Sequence, residues 1–330
     1  MSLSVSLNEK IARSLIEAYV RSRLSELKSD PQRAARNLVD MAQSISTGRF
    51  QKQFFELAQN MLQNEDSGYY SLIQDIAAHV DPERLITFGI NLGYNSLTLG
   101  ARTIREVEAE RHFNVPWAIS LTAGEDDLEA VRALMKQGKE LGVYSWIIAS
   151  SAPEALLSLL GEESDCALIL FCRPSTVTEA SIDAAAKLNN LMLAVEYTSG
   201  AGEVCGLLRQ KELLYSVYIP YRGEDAGRII GDGLLEKISR LHPAFTIFNL
   251  IEAPSGIHSP LGEYAAAARS QQKFRTFAVD LWEDGRMIDA VISDDACAVC
   301  FDDDGRLWGN DSLNYRRKSL AEILGEAFPK

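Results

Sequence analysis

LITFGINLGYNSLTLGAR, residues 85–102, is the stretch whose reading decides the fold. The run Leu85-Ile86-Thr87-Phe88-Gly89-Ile90 is apolar and stops at Asn91. Gly93, Tyr94, Asn95, Ser96, Thr98 and Gly100 follow in quick order, and Ala101-Arg102 opens a helix-like pattern. A short buried-type run, a loop of small polar residues and a helix start make one βα unit with a ligand-cradling loop. Gly93 and Gly100 would let a ligand approach the backbone closely. Asn91, Tyr94, Asn95, Ser96 and Thr98 would supply neutral hydrogen-bonding groups. The expectation is a strand over 85–90, a cradle over 91–100 and a helix beyond.

Six more runs of the same kind lie downstream, at 117–121, 143–149, 167–172, 191–197, 213–219 and 245–251. They recur at steps of roughly 20 to 30 residues, the length of one βα unit. Helical stretches such as 126–141 and 179–188 fill the gaps. The runs are continuously apolar rather than alternating, as in strands covered on both faces. Six or seven such units predict an α/β fold built as a partial parallel TIM-like barrel, with a doubly wound sheet as the other arrangement of the same units.

The flanks read differently. Residues 1–82 form an N-terminal helical region of four helices. Ile11, Leu15, Ile16, Tyr19 and Val20 fall at helical spacing, Asp30-Pro31 restarts the pattern, and Asp81-Pro82 closes it. The barrel then spans 83–255. Residues 256–330 form a C-terminal extension. Asp284-Gly285 within 277–292 suggests a hairpin, Asp304-Gly305 a second, and 319–327 a last helix.

The net charge is −13 and no basic stripe appears, which argues against a nucleic-acid partner. No apolar run is long enough to span a bilayer, and no basic segment precedes an apolar one as in a secretory leader. The five cysteines, Cys166, Cys172, Cys205, Cys297 and Cys300, are odd in number and irregular in spacing, so no disulfide framework is expected. A reducing, cytoplasmic setting is the natural expectation.

In parallel βα folds, ligands collect at the carboxyl ends of strands. That rule picks out Asn91, Tyr94 and Asn95, then Gly124, Glu125 and Asp126, then Arg173, Glu196, Tyr221 and His258. Each also has a plain structural role open to it. Glu125 and Asp126 open a helix, where carboxylates favour the dipole and cap free amides. Arg173 can pair on the surface. Glu196 ends a buried strand, where a carboxylate is costly unless paired. The glycines of the first loop match neither a phosphate loop nor a dinucleotide fingerprint. No metal site is expected. The four histidines are scattered, Cys297-Ala-Val-Cys300 lacks the second pair of a tetrathiolate site, and 302–305 lacks the spacing of a calcium loop.

This layout resembles the radical S-adenosylmethionine superfamily over roughly residues 84–325. The residues that carry the resemblance are the Gly-rich loop after the first run, Thr122-Ala123-Gly124-Glu125-Asp126 after the second, and the tail with Asp304-Gly305, Gly309-Asn310 and Ser319-Leu320-Ala321-Glu322-Ile323. In that family a CxxxCxxC motif after strand one holds a [4Fe–4S] cluster, and a GGEP-like motif ending strand two binds the methionine amino group. The resemblance implies S-adenosylmethionine contacts at Gly124 and Glu125. This chain departs from the family at the first motif, because no cysteine precedes Cys166, and neutral Asn, Ser and Thr are poor substitutes for thiolates on iron.

Three functions compete. The first is a cluster-less, radical-SAM-like binding or accessory protein for a small molecule, a peptide or a partner enzyme, with Asn91, Tyr94, Asn95, Gly124 and Glu125 around the ligand and S-adenosylmethionine bound without an iron–sulfur cluster. The second is a TIM-barrel-like enzyme doing acid–base chemistry on a small metabolite with Glu196, Arg173 and His258. The third is a scaffold whose mouth is plugged by Tyr94, Trp117 or Tyr221. Enzyme and binding protein both stay open on sequence alone.

Overall fold

A computed structural model describes the backbone of residues 7–45, 49–251, 259–293 and 295–330. The N-terminal helices are α1 (Leu7–Ser29), α2 (Pro31–Ile45), α3 (Arg49–Met61) and α4 (Gly68–His79), as the spacing predicts. Asp30 ends one helix and starts the next. Its Oδ1 accepts the Arg33 N–H at 3.1 Å, and Pro31 takes the first helical position, where no amide is needed. Leu27, Ala34, Ala35, Leu62, Tyr70 and Ala77 form the core of this region.

Next come α5 (Pro82–Ile90), a π-helical segment (Asn91–Gly100) and α6 (Ala101–Arg111). The alternation then runs β1 (Ala118–Thr122), α7 (Leu128–Leu141), β2 (Ser145–Ala149), α8 (Pro153–Leu160), β3 (Ala167–Cys172), α9 (Glu179–Ala185), β4 (Leu191–Glu196), α10 (Ala201–Gln210) and β5 (Tyr215–Tyr221). It continues through α11 (Ala226–Gly231), α12 (Leu234–Ser239), β6 (Phe245–Leu250), α13 (Gly262–Gln271), β7 (Phe277–Asp280) and α14 (Leu281–Ser293). The tail holds β8 (Val299–Phe301), β9 (Arg306–Leu307), β10 (Asn310–Asn314) and α15 (Leu320–Ala327).

The chain divides into two compact units, each built from separate stretches. One comprises residues 1–15, 87–192 and 285–330, the other 16–86 and 193–284. In the first unit the strand order is β10-β9-β8-β1-β2-β3, and β8, β1, β2 and β3 are parallel. In the second, β4, β5, β6 and β7 are parallel and in chain order. Neighbouring strands in chain order are the mark of a partial TIM-like barrel, since a doubly wound sheet reverses direction part-way. The cores follow from the apolar runs. Ile119, Trp146, Ile148, Leu168 and Leu170 are buried in the first unit, Val217, Phe248 and Tyr221 in the second.

Two expectations are overturned. Residues 85–90 are helix, not strand, and 91–100 continue that helix rather than forming a loop. An apolar run of six is too short to separate the two periods, and the start signal lay just upstream. Asp81 Oδ1 accepts the N–H groups of Glu83 and Arg84 at 2.9 and 3.2 Å, with Pro82 at the first position, so the dipeptide read as a stop is a helix N-terminus. The edge of β1 that a preceding strand would occupy is taken by β8, in the register Ile119↔Val299. The second correction is at 277–292, which is β7 followed by α14 rather than a hairpin. Asp280 Oδ1 accepts the Glu283 N–H at 2.9 Å, and Asp284 Oδ2 accepts the Asp280 N–H at 2.8 Å. This reciprocal cap overrides the turn preference of Asp284-Gly285. The second predicted hairpin is present as β8 and β9 in antiparallel pairing, and α15 opens with Ser319 and Glu322 capping each other.

Candidate functional site

In the first unit the two ends of the parallel strands differ in how their polar groups are used. At the carboxyl end of β1 the chain leaves as Thr122-Ala123-Gly124 and turns through a short 3-10 segment, Glu125–Asp127. Asp127 is buried and holds this turn. Its Oδ2 accepts the Gly124 N–H at 2.9 Å, and its Oδ1 pairs with Arg316 Nη2 at 2.6 Å. Arg316 follows β10 in the tail, and its Nη2 also donates to the Asp303 carbonyl at 2.6 Å. Glu125 and Asp126 are exposed at the head of the turn. Arg173, past the carboxyl end of β3, is exposed as well. Sequence reasoning picked out Gly124 and Glu125 but missed Asp127 and Arg316. The three-residue spacing from Gly124 is a capping signal for Asp127; nothing local marks Arg316.

The amino ends are closed. Asn91 is fully buried and its Nδ2 donates to the Ser164 and Cys166 carbonyls, both at 2.8 Å. Asn95 Nδ2 donates to Asn91 Oδ1 at 2.9 Å and to the Asp165 carbonyl at 2.8 Å. Ser145, the first residue of β2, donates through Oγ to Ser96 Oγ at 2.9 Å. Residues 164–166 lead directly into β3, so these side chains tie the π-helical segment to the amino ends of β2 and β3. Tyr94 is half-buried on the same segment. Gly100 fits because a Cβ there would stand 2.3 Å from the Gly142 carbonyl oxygen. The five expected cofactor residues therefore fall in two places: Asn91, Tyr94 and Asn95 toward the amino ends, Gly124 and Glu125 at a carboxyl end. The strand-first reading of 85–100 put them together; the helix separates them.

The amino end of β1 is closed by carboxylates. Asp289 on α14 is fully buried and accepts the Trp117 N–H at 3.1 Å and the Cys297 N–H at 2.7 Å. Burial outweighs these bonds and pushes its carboxyl up to about 7. Glu108 on α6, also buried, accepts the Val115 N–H at 2.9 Å and pairs with Lys330 at 2.8 Å. Trp117 donates through Nε1 to the Gly285 carbonyl, so this ring belongs to the amino end and not to a mouth.

In the second unit, Glu196 ends β4 half-buried and accepts the Tyr218 hydroxyl at 3.2 Å. At the ends of β5 and β7, Asp280 Oδ2 lies 2.8 Å from the Tyr221 hydroxyl and 2.6 Å from the Ser259 hydroxyl, which also lie within hydrogen-bond distance of each other. All three are buried, and burial pushes both the Asp280 carboxyl and the Tyr221 phenol up. Tyr221 is thus buried and hydrogen-bonded at the carboxyl end of β5. Glu196 belongs to this unit, Arg173 to the other, and His258 lies outside the described residues. A shallow depression opens at the amino ends of β5 and β6, lined by Asp75, His79, Arg209, Tyr215 and His242. There Arg209 grips Asp75 with two hydrogen bonds of 2.8 and 2.6 Å and holds its carboxyl below the usual range despite burial.

Two groups of possible metal donors occur among the described residues. Glu163, Asp165 and Cys166 already surround the Lys139 ammonium, at 2.5 Å from Glu163 and 3.3 Å from Asp165. Asp302–Asp304 serve the β8–β9 turn, with Asp302 Oδ1 accepting the N–H groups of Asp304 and Arg306. Burial pushes the Cys300 thiol up to about 12 and Cys297 well above its ordinary value, so neither is a ready thiolate. Among the described residues no helix is long and apolar enough to cross a membrane.

No family model matches the chain, and no curated protein matches it. Among solved structures the chain is similar to SuiB from Streptococcus suis. The structure of SuiB bound to S-adenosylmethionine aligns with a TM-score of 0.48 and 10% identity, over 68% of this chain and 66% of that one, slightly under two thirds of its length. SuiB bound to the precursor peptide SuiA gives 0.48 and 9%, over 82% and 78%. A further SuiB structure gives 0.47 and 9%, over 87% and 78%.

Proposed function

We propose that this protein is a cluster-less, radical-SAM-like binding or accessory protein, and that its ligand site lies at the carboxyl end of β1, with Glu125 as the charged contact. The observation that carries the reading is the fate of residues 85–100. The segment that would bear the cluster motif is helical, contains no cysteine, and spends the buried amides of Asn91 and Asn95 on backbone carbonyls at the amino ends of the strands. A [4Fe–4S] cluster needs thiolates held near the ligand site. This donor set does not fit one.

Glu125 fits the other half of the family site. It is an exposed carboxylate at the head of a helix, following a parallel strand, where a ligand ammonium can be met by one charged oxygen pair. The ligand to test is S-adenosylmethionine, with a peptide or a partner enzyme as the larger partner.

The test is calorimetric titration of the purified protein with S-adenosylmethionine, with iron and sulfide assayed on the same anaerobic sample. Binding without iron, weakened by Glu125→Ala, is the expected result. Stoichiometric iron and sulfide would overturn the cluster-less reading, and absence of binding would overturn the ligand.

A further inference from the structure

The turn that presents Glu125 is not held by its own helix alone. Its fixed points are the Gly124 N–H and the Asp127 carboxylate, 2.9 Å apart. Asp127 is buried with its second oxygen on Arg316, which comes from the far end of the chain. Arg316 is in turn fixed from several sides. Its backbone N–H donates to Asn314 Oδ1 at 2.8 Å and its guanidinium to the Asp303 carbonyl at 2.6 Å. Gly305, at φ +79°, packs under the side chain, so that a Cβ there would stand 3.1 Å from Arg316 Cγ and Nε and from the Tyr315 ring. The following helix α15 is pinned nearby by the Leu320 N–H donating to Gln137 Oε1 on α7 at 2.7 Å. A charge-assisted pair with one partner buried and the other braced fixes direction as well as distance.

We infer that Arg316 is a positioning residue for the ligand site: through Asp127 it locks the Gly124–Glu125 turn, and so sets where the Glu125 carboxylate meets a ligand ammonium. This rests on the proposed role of Glu125, but the lock itself is a property of the ligand-free protein and can be tested alone. The β8–β10 tail thereby becomes part of the site's machinery rather than a mere cover on the sheet edge.

The test has two arms. In the ligand-free protein, amide hydrogen exchange at Gly124 should speed up at least about tenfold in Arg316→Ala, because the Asp127 oxygen that protects it is released. Unchanged exchange overturns the lock. In the second arm, wild type, Glu125→Ala, Arg316→Ala, Arg316→Lys, Asp127→Asn and the double variant Glu125→Ala/Arg316→Ala are titrated with S-adenosylmethionine and with 5′-methylthioadenosine, which lacks the amino-acid end. Salt near about 0.5 M screens the change in net charge. Arg316→Ala should weaken S-adenosylmethionine about tenfold and leave 5′-methylthioadenosine within about twofold. Arg316→Lys should recover part of the loss, and the double variant should be no worse than the worse single one. Equal loss of both ligands, or no loss where Glu125→Ala does weaken binding, overturns the inference while the proposed function stands. Faster Gly124 exchange together with no S-adenosylmethionine binding by wild type overturns the proposed function and the role of Arg316 in binding, leaving the lock as structure only.

Discussion

The two ends of the strands β1, β2 and β3 use the same kinds of residue for opposite purposes. At the amino ends Asn91, Asn95, Glu108 and Asp289 are buried, and each is matched to backbone groups. At the carboxyl ends Glu125, Asp126 and Arg173 are exposed, with Asp127 and Arg316 bracing the turn from behind. A buried polar group must be paired inside the protein, so it is spent. An exposed carboxylate on a braced turn, as at Glu125, can still meet a ligand. The difference teaches that a string of polar residues after an apolar run does not locate a site; which end of the strand it reaches does.

The contrast can be broken by pH first. Asp289 has a folded value of about 7 against an ordinary 3.8, so between these values the folded state binds more protons than the unfolded one. The stability that Asp289 contributes should therefore be fully present below about pH 4 and be lost as pH rises toward about 7, by at most about 4 kcal/mol. Urea midpoints from pH 4 to pH 8 check this, and Asp289→Asn should flatten the slope. A difference between wild type and Asp289→Asn that grows in favour of wild type as pH rises would mean the two N–H donors outweigh burial. Asn91→Ala comes next. It strands the Ser164 carbonyl, leaves the Cys166 carbonyl with Asn190 alone and the Asn95 amide with the Asp165 carbonyl alone, and should cost about 2–4 kcal/mol in denaturant unfolding. A loss under about 0.5 kcal/mol would mean that the closed end is not closed.

Gly100→Ala should follow at about 1–3 kcal/mol, because its Cβ would meet the Gly142 carbonyl oxygen at 2.3 Å. Thermal unfolding reads it, and a neutral result would show that the π-helical segment can shift. Glu125→Ala should change stability least, within about 0.5 kcal/mol, while lowering S-adenosylmethionine affinity. Loss of stability without loss of affinity would turn the carboxyl end into another structural surface.

Much of the fold was legible in the sequence. Each of the six runs from 117 to 251 overlaps a strand, because their recurrence at the spacing of βα units breaks the tie between strand and helix that a single short apolar run leaves open. Gly124-Glu125 falls at the end of a strand for the same reason. The reading failed where two local signals were degenerate. Leu85–Ile90 fits a strand and a buried helical turn equally, and Asp284-Gly285 fits a hairpin and a capped helix equally. Asp81 with Pro82, and Asp280 with Asp284, broke those ties through caps whose partners are visible only once the backbone is placed.

What the sequence determined by itself is therefore the inventory: a parallel βα array, four helices before it, a capped helix at its end, an acidic and cysteine-poor front half, and a carboxylate after the strand at 118–122. What only the tertiary structure decided is the sorting of that inventory by end. The helix over 82–111 carries Asn91 and Asn95 to carbonyls 70 or more residues away, and Arg316 reaches back from the tail to Asp127. Such pairings join residues with no local relation, and their strength comes from burial and geometry that arise only when the chain has closed on itself.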